Sequence, residues 1–242
     1  MTEEHVAWAD MLSTGVPGLD EALGGGLPKW SLNLLAGAPG VGKTTLAQQI
    51  TFANASTNHP AVYFTVLGEP PLKMLRFQQR YRFFDTSRVD GAIHFVNLDQ
   101  EIAKGNLGQL LHSIRRWVEE IQPGIVVVDS FRAVAREAMT ARGDRIGFQR
   151  FVEDLGIYLS AWQATSFLVG EYAPREMEES PVFTLADGIL WLYQSVERNS
   201  MVRKLQVMKM RGQAPVPGLH TFRITQKGIE VFPRLPMRVP TV

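Results

Sequence analysis

The chain has 242 residues, of which 45% are hydrophobic and 20% charged, and its formal net charge is +1. This composition is typical of a soluble globular protein and favours one α/β domain with a sizeable core. The absence of cysteine excludes disulfides and thiolate chemistry and suits the cytoplasm, where we expect the protein. The five histidines lack the spacing of a zinc site, and no apolar run is long enough to cross a bilayer.

Strands and helices alternate along most of the chain. We predict a lead-in at residues 1–12, a domain at 13–233 and an extended tail at 234–242. Hydrophobic periodicity predicts strands at 31–36, 61–66, 93–97, 125–128, 166–170, 188–193, 202–210, 220–224 and 229–232. It predicts helices at 21–23, 45–50, 71–84, 107–121 and 144–162. This order indicates a mainly parallel sheet flanked by helices, with an antiparallel extension at the C-terminal end.

The first of these strands leads into the most informative stretch of the chain. Residues 37–44 match the phosphate-binding loop G-x-x-x-x-G-K-[ST]. Its glycines let the backbone direct N–H groups at phosphate oxygens, and the helix that follows points its positive end at the same anion. Lys43 should reach the β- and γ-phosphates, and Thr44 should offer its hydroxyl to Mg²⁺. The predicted nucleotide-binding residues are Gly37, Ala38, Pro39, Gly40, Val41, Gly42, Lys43, Thr44 and Thr45.

Two carboxylates at strand ends complete the predicted site. Asp129 follows the apolar strand 125–128. In ATPases with this phosphate-binding loop, an aspartate at such a strand end helps to hold Mg²⁺, so we predict Thr44 and Asp129 as metal ligands. Glu69 follows the strand 61–66, which we expect beside the phosphate-loop strand, and there it would orient or deprotonate the attacking water. The alternative is that Glu69 only begins the next helix, where a negative charge interacts favourably with the positive end of the helix dipole.

Stretches along the whole chain resemble the KaiC family of RecA-like ATPases. The resemblance covers roughly residues 13–233 and lies in segments 14–20, 23–28, 127–130, 185–189, 208–212 and 228–233, together with His220 and the phosphate loop. It implies a RecA-like fold, ATP and Mg²⁺ as ligands, and slow hydrolysis. It also implies a homo-oligomeric ring, usually hexameric, that holds ATP between subunits and switches the binding of an unidentified protein partner.

The resemblance gives a role to two basic residues near the end of the chain. Lys209 and Arg211 match family residues that reach the γ-phosphate of the neighbouring subunit, where fixed cations stabilise the transition state in trans. Alternation along a strand places both side chains on one face. An ordinary hairpin with solvated basic residues requires the same alternation.

Two positions depart from the family pattern. The family usually has two adjacent glutamates where this chain has Gly68 and Glu69, so hydrolysis is expected to be slow or absent, and a non-hydrolysing nucleotide sensor is the alternative. Clock-type members carry a second domain with a phosphorylated Ser-Thr pair. The matching positions here are Phe183 and Thr184, so we expect neither timekeeping nor self-phosphorylation, although Thr184 is a conceivable acceptor.

Basic and aromatic residues interleave in the segment 73–88. Such a pattern is typical of a nucleic-acid surface and suggests a RecA-like DNA-binding ATPase as a further alternative. A spacing of three and four residues instead predicts one buried helix face, made of Met74, Phe77, Tyr81 and Phe84. We therefore favour core packing, with Arg76 and Arg80 on a solvated or interface face, over nucleic-acid binding.

Overall fold

The computed structural model describes residues 10–66, 71–103, 106–142 and 145–234, with the side chains of 71–73 and 138–142 left aside. Its strands are β1 (Met11–Leu12), β2 (Leu27–Pro28), β3 (Leu32–Gly37), β4 (Ala61–Thr65), β5 (Ile93–Asn97), β6 (Ile125–Asp129), β7 (Thr165–Glu171), β8 (Gly188–Glu197), β9 (Ser200–Met210), β10 (His220–Thr225) and β11 (Gly228–Phe232). Its α-helices are α1 (Leu19–Leu23), α2 (Lys43–Asn54), α3 (Pro71–Gln78), α4 (Asp99–Ala103), α5 (Leu107–Ile121), α6 (Phe131–Arg142), α7 (Arg145–Ala161) and α8 (Pro181–Leu185).

Parallel pairing builds the centre of the main sheet. Within the described ranges the sheet has nine strands in the order β11-β10-β9-β8-β3-β7-β6-β4-β5. The six strands from β8 to β5 are parallel, and β9, β10 and β11 continue the sheet in antiparallel pairs. The predicted α/β fold, a mainly parallel sheet with a C-terminal antiparallel extension, is confirmed.

Helices cover both faces of this sheet and divide the core into two layers. Strand β6 is buried along its whole length, as expected of a central parallel strand. Successive strand residues point to opposite faces, so Val126 and Val128 pack in a layer with α5, α6 and α7. Val127 packs in the other layer, with α1 and α2.

Two helical segments differ from the sequence prediction. Helix α3 ends at Gln78 instead of continuing to Phe84. There the Arg82 N–H donates to the Gln226 carbonyl at 2.8 Å, so a tertiary hydrogen bond to the β10–β11 turn takes the place of a helical one. Helix α6, directly after β6, is absent from the prediction, whereas α5 and α7 agree with it.

The predicted buried face of α3 is wrong at Phe77, because 63% of this residue is exposed. Met74 is buried as expected, and Leu75 is buried beside it. Because the helix stops at Gln78, the residues beyond it no longer follow helical spacing. Phe84 reaches the core from the turn and packs on Phe52, with 4.6 Å between the ring centroids.

Both ends of the predicted domain meet the limits of the described chain. Met11 and Leu12 pair with Pro28 and Leu27, so the last two residues of the predicted lead-in belong to the fold. Residues 1–9, and the predicted tail beyond Arg234, lie outside the described residues. Among the helices described, none is long and apolar enough to cross a membrane.

Substitution of Gly18 tests the close approach of strand β11 to the start of helix α1. Gly18 has φ +74°, and a Cβ there would lie 2.0 Å from the Val231 carbonyl oxygen. The Val231 N–H donates to the Pro17 carbonyl, which restrains this approach. We expect Gly18→Ala to lower the free energy of unfolding by about 3 kcal/mol.

Gly212 provides the matched control for this substitution. Its φ is +75°, and among the residues that the structure describes nothing lies within 4 Å of the position of a Cβ. Gly212→Ala should therefore cost only the left-handed conformation, about 1 kcal/mol. Urea denaturation measures both variants, and equal losses would show that the contact with Val231 is unimportant.

Candidate functional site

The loop between β3 and α2 is shaped by glycine. Gly37, Gly40 and Gly42 have φ angles of +145°, +72° and +113°, in the region that favours this residue. A Cβ on Gly37 would lie 2.2 Å from the carbonyl oxygen of Leu192 on the neighbouring β8. Helix α2 begins at Lys43 after Gly42, which has no side chain with which to cap it, and the first N–H groups of a helix form a site that favours an anion.

Lys43 is folded back into this loop. Its Nζ donates to the Ala38 carbonyl oxygen at 2.7 Å, and only 6% of the residue is exposed. Burial lowers the pKa of the ammonium group, while the charges of Glu171 and Asp129 oppose that shift. The loop thus holds a partly desolvated cation, and such a cation pairs strongly with phosphate oxygens.

Asp129 joins the end of β6 to the loop. Its Oδ2 accepts hydrogen bonds from Thr44 Oγ1 at 2.7 Å and from the Tyr63 hydroxyl at 2.8 Å. Burial raises the pKa of the Asp129 carboxyl, and both hydrogen bonds and the charge of Lys43 oppose the rise. Burial and the Asp129 charge raise the pKa of Tyr63, so its hydroxyl stays protonated and donates.

The oxygen atoms of Thr44 and Asp129 fit a magnesium ion. Mg²⁺ is a hard cation that takes oxygen ligands and usually keeps several waters. The two predicted ligands come from different elements, yet their oxygens lie in direct contact. Together with the glycine loop and Lys43, they form the constellation that the sequence predicts.

A cleft of about 1030 Å³ opens over this constellation. It lies at the carboxyl ends of the parallel strands, where open α/β sheets bind ligands. Lys43, Thr44, Asp129, Glu171, Arg203 and Tyr81 are among its lining residues. Its volume is at the upper end of the range for small-molecule sites and has room for a nucleoside triphosphate.

The strand order corrects the argument for Glu69. Strand β4 pairs with β5 and β6, whereas the neighbours of β3 are β7 and β8. The strand before Glu69 is therefore not adjacent to the phosphate-loop strand, contrary to the sequence-based expectation, because β6 and β7 lie between them. Glu69 and Gly68 themselves lie outside the described residues, and the role of Glu69 stays a prediction.

Lys209 and Arg211 lie near the amino ends of the central parallel strands, whereas the phosphate loop lies at their carboxyl ends. Gly188 pairs with Asn33 near the start of β3 and with Met210 at the end of β9. The loop begins at the far end of β3, a strand of 6 residues that spans about 20 Å. Neither side chain therefore reaches the loop of its own subunit.

Both cations are held by the segment before β8. Lys209 Nζ donates to the Thr184 carbonyl at 2.9 Å, and Arg211 Nη1 pairs with Asp187 Oδ1 at 2.9 Å. The other carboxylate oxygen of Asp187 accepts from the Leu32 N–H at 2.9 Å, which ties this segment to the start of β3. Phe183 is buried and Thr184 is exposed.

Three residues that contribute to the site are missing from the sequence prediction, namely Tyr63, which donates to Asp129, and Glu171 and Arg203, which line the cleft. Tyr63 lies in a strand whose other residues suggest only core packing, and its hydroxyl is the signal that was available. Glu171 ends an apolar strand in the same way as Asp129, so the rule that identifies Asp129 also identifies Glu171. Arg203 lies on β9, and only the tertiary fold brings it to the cleft.

The parallel sheet, the glycine loop and the Lys43, Thr44 and Asp129 cluster define a P-loop nucleoside triphosphatase. The family model described as the ATPase KaiC matches residues 12–235, and the chain belongs to this family. A UPF0273 protein of Methanopyrus kandleri is 30% identical to this chain, with 93% of this chain and 92% of the relative covered. Its counterpart in Thermotoga maritima is 28% identical, with coverages of 92% and 96%.

Two relatives connect the chain to KaiC itself. The circadian clock oscillator protein KaiC of Parasynechococcus marenigrum is 28% identical over 91% of this chain, which spans 42% of that longer protein. A solved KaiC-like protein from the archaeon Pyrococcus horikoshii superposes with a TM-score of 0.76 at 26% identity, covering 93% of this chain and 100% of that one. The RecA-like fold and the predicted family resemblance are confirmed.

The hydrogen bond from Tyr63 to Asp129 gives a test of the metal site. Tyr63→Phe removes one donor from a buried carboxylate, so we expect the free energy of unfolding to fall by about 1–3 kcal/mol. The Mg²⁺ concentration that supports half-maximal nucleotide binding should rise about tenfold, because the ligand is less well oriented. Thermal unfolding and a titration with fluorescent nucleotide measure the two effects.

Tyr193→Phe is the matched control, because the Tyr193 hydroxyl contacts Gln206, far from Asp129 in the sheet order. This variant should leave the Mg²⁺ requirement unchanged. The same Mg²⁺ requirement in both variants would contradict an orienting role for Tyr63.

Proposed function

We propose that the protein binds ATP with Mg²⁺ in the cleft at the carboxyl edge of its sheet and hydrolyses it slowly. The observation that carries this proposal is the convergence of the glycine loop, Lys43, Thr44 and Asp129, in a chain of the KaiC ATPase family. From what membership of this family implies, we further propose that the protein forms a ring, usually hexameric. In the cytoplasm this ring would switch the binding of a protein partner.

Each residue of the site has a distinct part in the proposed reaction. The backbone N–H groups of the loop and Lys43 bind the β- and γ-phosphates. Thr44 and Asp129 hold Mg²⁺, which when bound neutralises charge on the phosphate oxygens. Tyr63 fixes the orientation of the Asp129 carboxylate. Glu69, as the sequence predicts, would act on the attacking water.

The site is completed in this proposal by the neighbouring subunit. Lys209 and Arg211 stabilise the charge that develops on the γ-phosphate in trans. Support comes from their position about one strand length from the loop of their own subunit, together with the 63% exposure of the Arg211 side chain. A head-to-tail ring brings the loop edge of one subunit to the opposite edge of the next.

Phosphate release from Mg·ATP as a function of protein concentration tests the shared site. Specific activity should rise and then saturate as subunits assemble. A constant activity requires a mass measurement, and a monomer with full activity would contradict the ring. ATP binding without phosphate release at any concentration would identify a nucleotide sensor instead.

Mixed subunits make this test specific for Arg211. Lys43→Ala should abolish nucleotide binding, and Arg211→Ala should bind ATP without hydrolysing it. After subunit exchange, an equal mixture should regain about one quarter of wild-type activity, the share of interfaces that combine an intact loop with an intact Arg211. No recovery would contradict a role in trans. Tight ATP binding by Lys43→Ala would refute the site itself.

Exposure of Phe77 favours DNA binding as a second candidate function. The ring of Phe77 is exposed beside Arg76, and Arg80 follows in the next turn of the chain, also exposed. An exposed aromatic ring between cations is the arrangement on which single-stranded bases stack.

If this surface binds DNA, affinity for a single strand should fall as salt rises and should fall further in Arg76→Ala and Arg80→Ala. Arg150→Ala, an exposed site on α7, is the control, and absence of binding at low salt would exclude this function.

A further inference from the structure

Glu171 lies between the two halves of the phosphate site. Strand β7 is inserted between β3 and β6, and Glu171 pairs with Gly37, the first residue of the loop. On the other side of β7, Asp129 pairs with Val169. Because each strand residue advances the chain by about 3.3 Å, Glu171 lies about 7 Å beyond the level of Asp129, on the side where the loop emerges.

The backbone of Glu171 is held by both of its neighbours. A Cβ on Gly170 would lie 2.3 Å from the ring of Tyr172, which packs closely over the strand at this point. Tyr172 is buried beneath the guanidinium of Arg132, 5.2 Å from the ring centroid, and its N–H donates to the Gly37 carbonyl. The end of β7 is thereby fixed against the first residue of the loop.

Glu171 shares the cleft with the residues that would bind phosphate and metal. It is a lining residue of the cleft together with Lys43, Thr44 and Asp129. Its charge acts on both Lys43 and Asp129. A carboxylate beside an anion-binding loop weakens the binding of phosphate by repulsion, so this position needs a compensating role. Acceptance of a proton from water is such a role, and it requires a carboxylate.

We propose that Glu171 orients and deprotonates the water that attacks the γ-phosphate, an inference that rests on the proposed hydrolysis of ATP. The water oxygen forms a bond to the γ-phosphorus, and the bond from this phosphorus to the β–γ bridging oxygen breaks. ADP leaves with the electron pair of that bond. The proton of the water passes to the Glu171 carboxylate and from there to solvent. This role supplies a base from β7 in a chain that has Gly68 in place of one expected glutamate.

Glu171→Gln tests this role because it keeps the shape of the side chain and removes the base. We expect kcat for phosphate release to fall by about 100-fold or more, with the Kd for ATP no weaker than in the wild type. Glu171→Asp retains the charge but withdraws the carboxylate, so its kcat should also fall. Glu178→Gln makes the same change at an exposed glutamate that does not line the cleft, and it should hydrolyse ATP at the wild-type rate.

Chemical rescue separates a base from a structural residue. Glu171→Ala should be inactive and should regain phosphate release when formate is added, because formate supplies a carboxylate to the vacated space. Glu69→Gln, measured in parallel, decides between the two glutamates, because loss of kcat in Glu69→Gln with wild-type kcat in Glu171→Gln would assign the base to Glu69.

Two results would overturn the role of Glu171. They are wild-type kcat in Glu171→Gln, whatever its affinity for ATP, and loss of activity in Glu171→Ala that formate does not restore. If the wild-type protein itself releases no phosphate, the proposed hydrolysis fails and the role of Glu171 fails with it. Hydrolysis by the wild type with either result removes only the role of Glu171.

Discussion

The hydrogen bond between Thr44 and Asp129 is the interaction on which the rest of the site depends. It joins residues 85 positions apart, one at the start of the helix after the phosphate loop and one at the end of the central strand β6. A buried carboxylate is unfavourable unless donors satisfy it, and here Thr44 and Tyr63 both donate to the same oxygen. The loop, β4 and β6 are thereby held in one arrangement.

The local parts of this arrangement are predictable from the sequence, because they follow from short-range rules. The spacing of residues 37–44 specifies a phosphate loop, since glycine is required wherever the backbone takes a positive φ. An acidic residue directly after four apolar strand residues identifies Asp129, because open α/β sheets bind their ligands at the carboxyl ends of the parallel strands. Helix α5 is also predictable, because its apolar face follows a regular helical period.

The order of the strands is not predictable in this way, because periodicity specifies an element without specifying its neighbours. The sequence-based argument therefore sets Glu69 beside the loop strand, while the fold inserts β6 and β7 between them. Glu171 gains its position from the same insertion. The predicted helix 71–84, with Phe77 on its buried face, is wrong for a different reason. A hydrogen bond from Arg82 to the β10–β11 turn follows the end of α3, and helical periodicity in the sequence does not predict such a tertiary contact.

Asp187 gives the sheet a mechanical property. One of its carboxylate oxygens holds Arg211, the other holds the first residue of β3, and β3 ends in the phosphate loop. Strand β3 is paired on both sides by parallel neighbours and is therefore stiff along its axis, so one rigid element joins the Arg211 ion pair to the phosphate loop. In the proposed ring, this element would connect the contact of each subunit with its neighbour to its own phosphate loop.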